Sequence, residues 1–183
     1  MDQAFEYIEK NPLELESAYP YTARDGTCKY VKTKGVGKVV GYTDVPQNSV
    51  AQMKAALMKQ PVAVAIEADQ AAFQTYTTGV LTKGCGTSLD HGVLAVGYGT
   101  ENGVDYFLVK NSWSASWGDN GYIKIGQNNV CGILLAASYP TEWKDFRLFW
   151  LYPIKLNKDS LRKFNFLFLL SFAFLSISLN IYG

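Results

Sequence analysis

The chain has 183 residues, 48% of them hydrophobic, and 17 basic against 16 acidic side chains give a formal net charge of +1. One domain's core is within reach of that length and apolar content, and charges of both signs, scattered along the chain, leave no basic patch for nucleic acid. A single histidine, with no Gly-rich phosphate loop, no paired-cysteine zinc spacing and no internal repeat, argues against a metal centre or a nucleotide cofactor, so no cofactor is expected.

In chain order, Asp2 to Lys10 reads as a helix with Phe5 and Ile8 inward, stopped by Asn11-Pro12 because the residue before a proline disfavours the helical region. Ser49-Val50-Ala51-Gln52 has the form of a capping box, and Val50, Met53 and Leu57 follow at helical spacing until Pro61. Val62-Ala63-Val64-Ala65-Ile66 alternates large and small, as in a strand packed on both faces, and Ala71-Ala72-Phe73 begins a short helical turn. Val93–Val96 and Tyr106–Val109 are runs of β-branched and aromatic residues separated by Thr100-Glu101-Asn102-Gly103, and Asn-Gly between such runs is a strong hairpin signal. Two hairpins around 91 to 125 then complete a mostly antiparallel sheet. The apolar stripes are core.

The first hairpin has a chemical consequence. His91 lies just before its first strand and Asn111 just past its second, so pairing brings the two to the same end of the sheet. An asparagine oxygen that accepts the imidazole N–H fixes the tautomer and the ring, and leaves the other ring nitrogen to take a proton. A neutral amide stabilises imidazolium less than a carboxylate does. Such a base suits a nucleophile that is already acidic, such as a cysteine whose thiolate pairs with the protonated histidine. Trp113, two residues further on, is placed to shield the pair from water. The plainer alternative is a structural histidine beside a strand.

Longer blocks around these residues carry a resemblance. Leu89-Asp90-His91-Gly92-Val93-Leu94-Ala95-Val96-Gly97-Tyr98-Gly99, Val109-Lys110-Asn111-Ser112-Trp113 and Trp117-Gly118-Asp119-Asn120-Gly121-Tyr122 resemble the His and Asn blocks of papain-like cysteine proteases, the branch that includes cathepsin L. Ser17-Ala18-Tyr19-Pro20-Tyr21, Cys131-Gly132-Ile133 and Ala136-Ala137-Ser138-Tyr139-Pro140 agree with it. The likeness runs through residues 1 to 140 and stops there.

The resemblance implies an α+β fold, the papain-like two-domain architecture, represented here mainly by the antiparallel β right domain (residues 43–140) with a remnant of the helical left domain (1–42). It implies a cysteine-type endopeptidase with His91 as general base, Asn111 as its orienter and Trp113 as the residue that covers them. Ala65, Leu89 and Ala136, with Met1 at the rim, would wall the main specificity pocket. All four are apolar, so a bulky hydrophobic substrate side chain is expected there, without an acidic group to accept arginine. The implied partner is a peptide or protein substrate, the implied state a monomer and the implied compartment lysosomal or secreted. Ser114 departs from the pattern, since the family usually has glycine after that tryptophan.

In this family the nucleophilic cysteine and the glutamine of the oxyanion hole precede the segment that Met1-Asp2 matches, so the chain is expected to lack its nucleophile and to be inactive alone. By resemblance Cys85 and Cys131 form a disulfide and Cys28 is left without its usual partner. Cys85, six residues before His91, is a rival nucleophile, although nearness in sequence is no substitute for nearness in space.

Residues 141–183 have no counterpart in the family. Phe166-Leu167-Phe168-Leu169-Leu170-Ser171-Phe172-Ala173-Phe174-Leu175 is apolar, no charged residue occurs from Phe164 to Gly183, and Arg162 and Lys163 precede the run. It reads either as a membrane-spanning segment, the one route to a membrane in this chain (164–183), or as translation past a splice site or stop. A secretory signal is not visible, because Asp2, Glu6, Glu9 and Lys10 interrupt any apolar stretch. Two other functional readings stay open: a catalytically dead module that still presents a peptide cleft, and a membrane-anchored interaction protein.

Overall fold

The computed structural model describes residues 1–141. The apolar segment at 164–183 and the rest of 142–183 lie outside the described residues. Among those described, no helix is long and apolar enough to cross a membrane.

Two compact units are present. One comprises Met1 and Thr43–Tyr139; the other comprises Asp2–Tyr42 with Pro140 and Thr141. In the second, helix α1 (Asp2–Lys10) buries Ala4, Phe5 and Ile8 on one face, and Phe5 stacks on Tyr42 with ring centroids 5.9 Å apart. Ile8, Leu13 and Val39 form a small core, and Leu13 bonds to Gly37 through both its N–H and its carbonyl. Cys28 is exposed and has a free thiol.

The first unit holds the larger core. Helix α2 (Val50–Leu57) begins where the Ser49 hydroxyl accepts the Gln52 N–H at 3.3 Å, satisfying one of the helix's open donors, and it buries Met53 and Ala56. Helix α3 (Ala71–Gln74) is a single turn that buries Phe73. The strands are β1 (Gly41–Asp44), β2 (Val62–Ile66), β3 (Val80–Leu81), β4 (His91–Glu101), β5 (Val104–Lys110), β6 (Tyr122–Gly126) and β7 (Ala137–Thr141). They form one sheet in the order β1-β7-β2-β4-β5-β6-β3. The fold is α+β with a sheet that is antiparallel through β7, β2, β4, β5 and β6, and β3 adds a short parallel pair on β6.

Alternation along the strands explains the core. Val62, Val64 and Ile66 are fully buried while Ala63 and Ala65 are half-buried, and Phe107, Val109, Ile123 and Ile125 fill the same core from the next strands. Asn102 and Gly103 make the two-residue turn between β4 and β5, with φ of 51° and 79°. Positive φ at both positions is what the tight hairpin turn demands. The first strand is longer than its apolar run suggests and begins at His91 itself, because Ile66 of β2 pairs with it.

The candidate active site

His91 opens β4 opposite Ile66, and Asn111 follows the last residue of β5. The β4–β5 register runs from Glu101↔Val104 at the turn to Leu94↔Lys110, with a bulge between Ala95 and Gly97. Past Lys110 the chain leaves the ladder, and the Asn111 N–H donates to the Gly121 carbonyl at 2.9 Å. That anchor turns the side chain toward His91. His91 Nε2 and Asn111 Oδ1 are 2.8 Å apart, and Asn111 is only 6% exposed.

Which ring nitrogen carries the proton follows from a second bond. Asn111 Oδ1 also accepts the backbone N–H of Ser112 at 2.8 Å, and a backbone N–H can only donate. The oxygen is therefore the atom facing His91, and Nε2 must donate to it. In the neutral ring Nδ1 is then the basic nitrogen. Asn111 Nδ2 is buried without a hydrogen-bond partner; exchanging the two amide ends would set a donor against the Ser112 N–H, which can only donate.

Trp113 stacks on the imidazole, with centroids 5.1 Å apart and planes 28° from parallel, and remains 37% exposed on its outer side. Beneath lies Phe73, fully buried. It meets Trp113 edge-on at 5.5 Å, His91 edge-on at 6.4 Å and Trp117 at 5.0 Å, so one ring braces three others. The Trp117 indole N–H donates to Gln74 O at 3.0 Å, tying the tryptophan loop to α3. Tyr76 packs on Trp117 at 6.0 Å and donates to Gly79 O at 2.6 Å. Burial pushes the Tyr76 phenol above its ordinary pKa, against the lowering effect of the Lys124 backbone N–H and charge.

The segment that leads into His91 is pinned in several places. Cys85 and Cys131 form a disulfide. Asp90 N–H donates to Ile66 O at 3.0 Å, and Asp90 Oδ1 accepts the Ala68 N–H at 2.8 Å. Glu67, 6% exposed, sets its carboxylate against Gly86: a β-carbon there would stand 2.8 Å from Oε2, which has no hydrogen-bond partner. Neither disulfide cysteine is a free thiol, so Cys85 is not available as a nucleophile in this state.

Of the residues expected to wall a pocket, Ala65 and Ala136 are joined directly, Ala65 N–H donating to Ala136 O at 2.9 Å. Ala65 lies opposite Gly92, beside His91. Leu89 reaches over Gly132, its Cδ2 being 2.7 Å from where a β-carbon would stand, and is 37% exposed. Met1 is half-buried in the same unit, and no hydrogen bond among the described residues links it to the other three. Asp90, Ser112 and Trp117 stand in the blocks quoted from the sequence but carried no role there, and neither Glu67 nor the bracing by Phe73 was expected. Trp113 and Trp117 four residues apart were the one signal for the aromatic cluster. No group of His, Cys, Asp and Glu among the described residues is arranged to hold a metal ion.

The model of the papain family of cysteine proteases matches residues 1–141. Probable cysteine protease RD21B of Arabidopsis thaliana is 53% identical over 147 residues, 76% of this chain and 32% of that protein. The oryzain beta chain of Oryza sativa subsp. japonica is 50% identical over 149 residues, 78% of this chain and 32% of that protein. The bromelain protease from Ananas comosus, solved in complex with the E64 inhibitor, superposes with a TM-score of 0.70 at 41% identity, covering 78% of this chain and 69% of that one. Digestive procathepsin L 3 of Tenebrio molitor gives 0.71 at 42% identity, covering 77% and 48%. The chain spans 32% of the length of each of the two plant relatives. Family match, sequence identity and fold agree, and the chain belongs to the papain family of cysteine proteases.

Proposed function

We propose that residues 1–141 carry the base and orienting amide of a Cys-His-Asn endopeptidase whose thiol is supplied from outside this chain. The observation that carries the reading is the bond from His91 Nε2 to Asn111 Oδ1, with Ser112 N–H fixing the direction of that bond. In the assembled site, His91 Nδ1 takes the proton of the thiol. The thiolate attacks the scissile carbonyl, and the imidazolium, held by Asn111 and covered by Trp113, returns the proton to the leaving amine. A water activated by the same ring then releases the acyl group. Residues 43–140 act as the right domain and 1–42 as a remnant of the left.

The substrate is a peptide or protein with a bulky apolar side chain in the pocket of Ala65, Leu89, Ala136 and Met1. A hydrophobic pocket of this kind discriminates by size at about 1 to 3 kcal/mol per methylene. The Cys85–Cys131 disulfide favours an oxidising compartment, lysosomal or secreted. Cys85 and Cys131 are bonded to each other, and none of the three cysteines stands where the family carries its nucleophile. The chain is inactive alone.

Labelling with a thiol-directed papain-type epoxide tests this, on the wild type, His91→Ala and Cys85→Ser. The isolated chain should show no His91-dependent labelling. Adding in trans a polypeptide with the family's thiol segment should create labelling that His91→Ala abolishes. Stoichiometric labelling of the isolated chain that His91→Ala removes would falsify the inactive reading.

A further inference from the structure

We infer that Asn102 is a site of spontaneous deamidation, giving aspartate and isoaspartate in the folded protein, and that the fold protects Asn120 from the same reaction. These are the two asparagines that precede a glycine in this sequence. In the reaction the backbone nitrogen of the following residue attacks the asparagine Cγ. An N–Cγ bond forms, the Cγ–Nδ2 bond breaks, and ammonia leaves with the proton that the amide gave up. Water then adds to one of the two carbonyls of the resulting five-membered imide and opens it to aspartate or isoaspartate. A following glycine favours attack because no side chain crowds its nitrogen.

The two sites share an exposed asparagine and a left-handed backbone, and differ in what holds the attacking nitrogen and the asparagine side chain. Both asparagines are exposed, and both pairs adopt positive φ: 51° and 79° at Asn102-Gly103, 53° and 88° at Asn120-Gly121. At the second pair, Gly121 N–H donates to Trp117 O at 2.8 Å, Gly121 O accepts from Asn111 N–H at 2.9 Å and Asn120 Nδ2 donates to Asp119 Oδ1 at 3.0 Å. Gly121 also lies against Ser114 O, 3.1 Å from the place of a β-carbon. Attack at Asn120 therefore requires breaking the bond to Trp117 and moving a buried glycine. At the hairpin tip, no hydrogen bond among the described residues holds Gly103 N–H or the Asn102 side chain, and nothing lies within 4 Å of the Gly103 β-carbon position. Tips of this kind open most readily.

The protection has a bearing on the site. An isoaspartyl linkage lengthens the main chain by one methylene. At 120 it would displace the carbonyl that anchors Asn111, whereas at 102 it disturbs only the Glu101↔Val104 end of the hairpin, remote along β4 from His91. A new carboxylate at 102 would also lie next to Glu101, which is paired with Lys124.

The test is to hold the full chain, folded, at mildly alkaline pH and follow both sites by peptide mass mapping. An isoaspartyl-specific methyltransferase serves as a second probe, with Asn102→Gln as the control. Asn102 should convert at least about fivefold faster than Asn120, the factor expected when one backbone hydrogen bond must first break. In denaturant the two rates should converge, and Asn102→Gln should remove most of the methylatable isoaspartate from the folded protein. Equal rates in the folded chain, no conversion at either site, or a ratio unchanged by denaturant would each overturn the proposal, the last by assigning the difference to flanking sequence rather than to structure.

Discussion

The backbone N–H of Ser112 donates to Asn111 Oδ1 at 2.8 Å, and that bond determines which nitrogen of His91 is basic. The amide oxygen receives two donors, one of which has no alternative role, so the imidazole is held with its proton on Nε2. Nitrogen-detected NMR of the neutral ring should report the Nε2–H tautomer as the dominant one. In Asn111→Ala the ring loses its acceptor, and the two tautomers should approach comparable populations. A wild-type ring protonated on Nδ1 would overturn the assignment.

Phe73 touches every ring that surrounds the imidazole. It is fully buried and packs on Trp113, Trp117 and His91 at once. Phe73→Ala should cost about 3 to 5 kcal/mol of stability, from lost transfer energy and from the cavity left behind. Phe73→Leu should cost less than half as much. Denaturant midpoints measure both. The line shape of the Trp113 indole resonance should broaden in Phe73→Ala as its ring loses the edge-on contact. A change under about 1 kcal/mol in Phe73→Ala would mean that the cluster collapses around the gap.

How much of this was legible beforehand varies by residue. That His91 and Asn111 meet followed from Asn102-Gly103 between two β-rich runs, since a tight turn fixes which ends of a hairpin adjoin. The same reasoning could not place the bulge between Ala95 and Gly97, because nothing in the composition marks where a ladder slips. Nor could it start β4 at His91, which depends on pairing with a strand 25 residues earlier in the chain (91 − 66). Phe73 looked like any core aromatic on a short turn. Its contact with Trp113 arises because the Trp117 indole docks on the end of α3, a connection between segments 43 residues apart. Glu67 was invisible for a related reason: its burial is created by the fold of the Gly86 segment over it.

Ser114 has a φ of 68°, in the left-handed region that costs an L side chain about 1 to 2 kcal/mol. Its hydroxyl bonds to Ser116 Oγ at 2.6 Å and accepts the Ser116 N–H at 3.3 Å. Removing the hydroxyl and relieving the backbone are therefore separable. Ser114→Ala and Ser114→Gly lose the same hydrogen bonds, and only the glycine relieves the β-carbon. The glycine variant should be more stable than the alanine variant by about 1 kcal/mol, the glycine's extra unfolded-state freedom being set against the strain. Thermal melts of the pair test it. Equal stabilities would show that the loop relaxes to accommodate alanine.

The disulfide makes the largest single covalent contribution to the unit that holds His91. Cys85 and Cys131 are 46 residues apart in sequence, and the loop between them contains β4, β5, β6, the aromatic loop and the Asn111 turn. Closing a loop of that length restricts the unfolded chain by about 4 kcal/mol in the chain-entropy account. Cys85→Ser with Cys131→Ser should therefore lower the unfolding free energy by about 2 to 4 kcal/mol, the lower figure applying if the unfolded chain keeps residual structure. The comparison belongs at equal denaturant slope, because a changed slope would signal a change in the unfolded state rather than a loss of native stability. Cys28 provides the control. It is exposed and unbonded, so Cys28→Ser should leave the unfolding free energy unchanged within about 0.5 kcal/mol. Peptide mapping without reduction should recover the 85–131 linkage alone. A bridge from Cys28 to either of the other two, or a Cys28→Ser variant that unfolds as readily as the double variant, would refute the pairing.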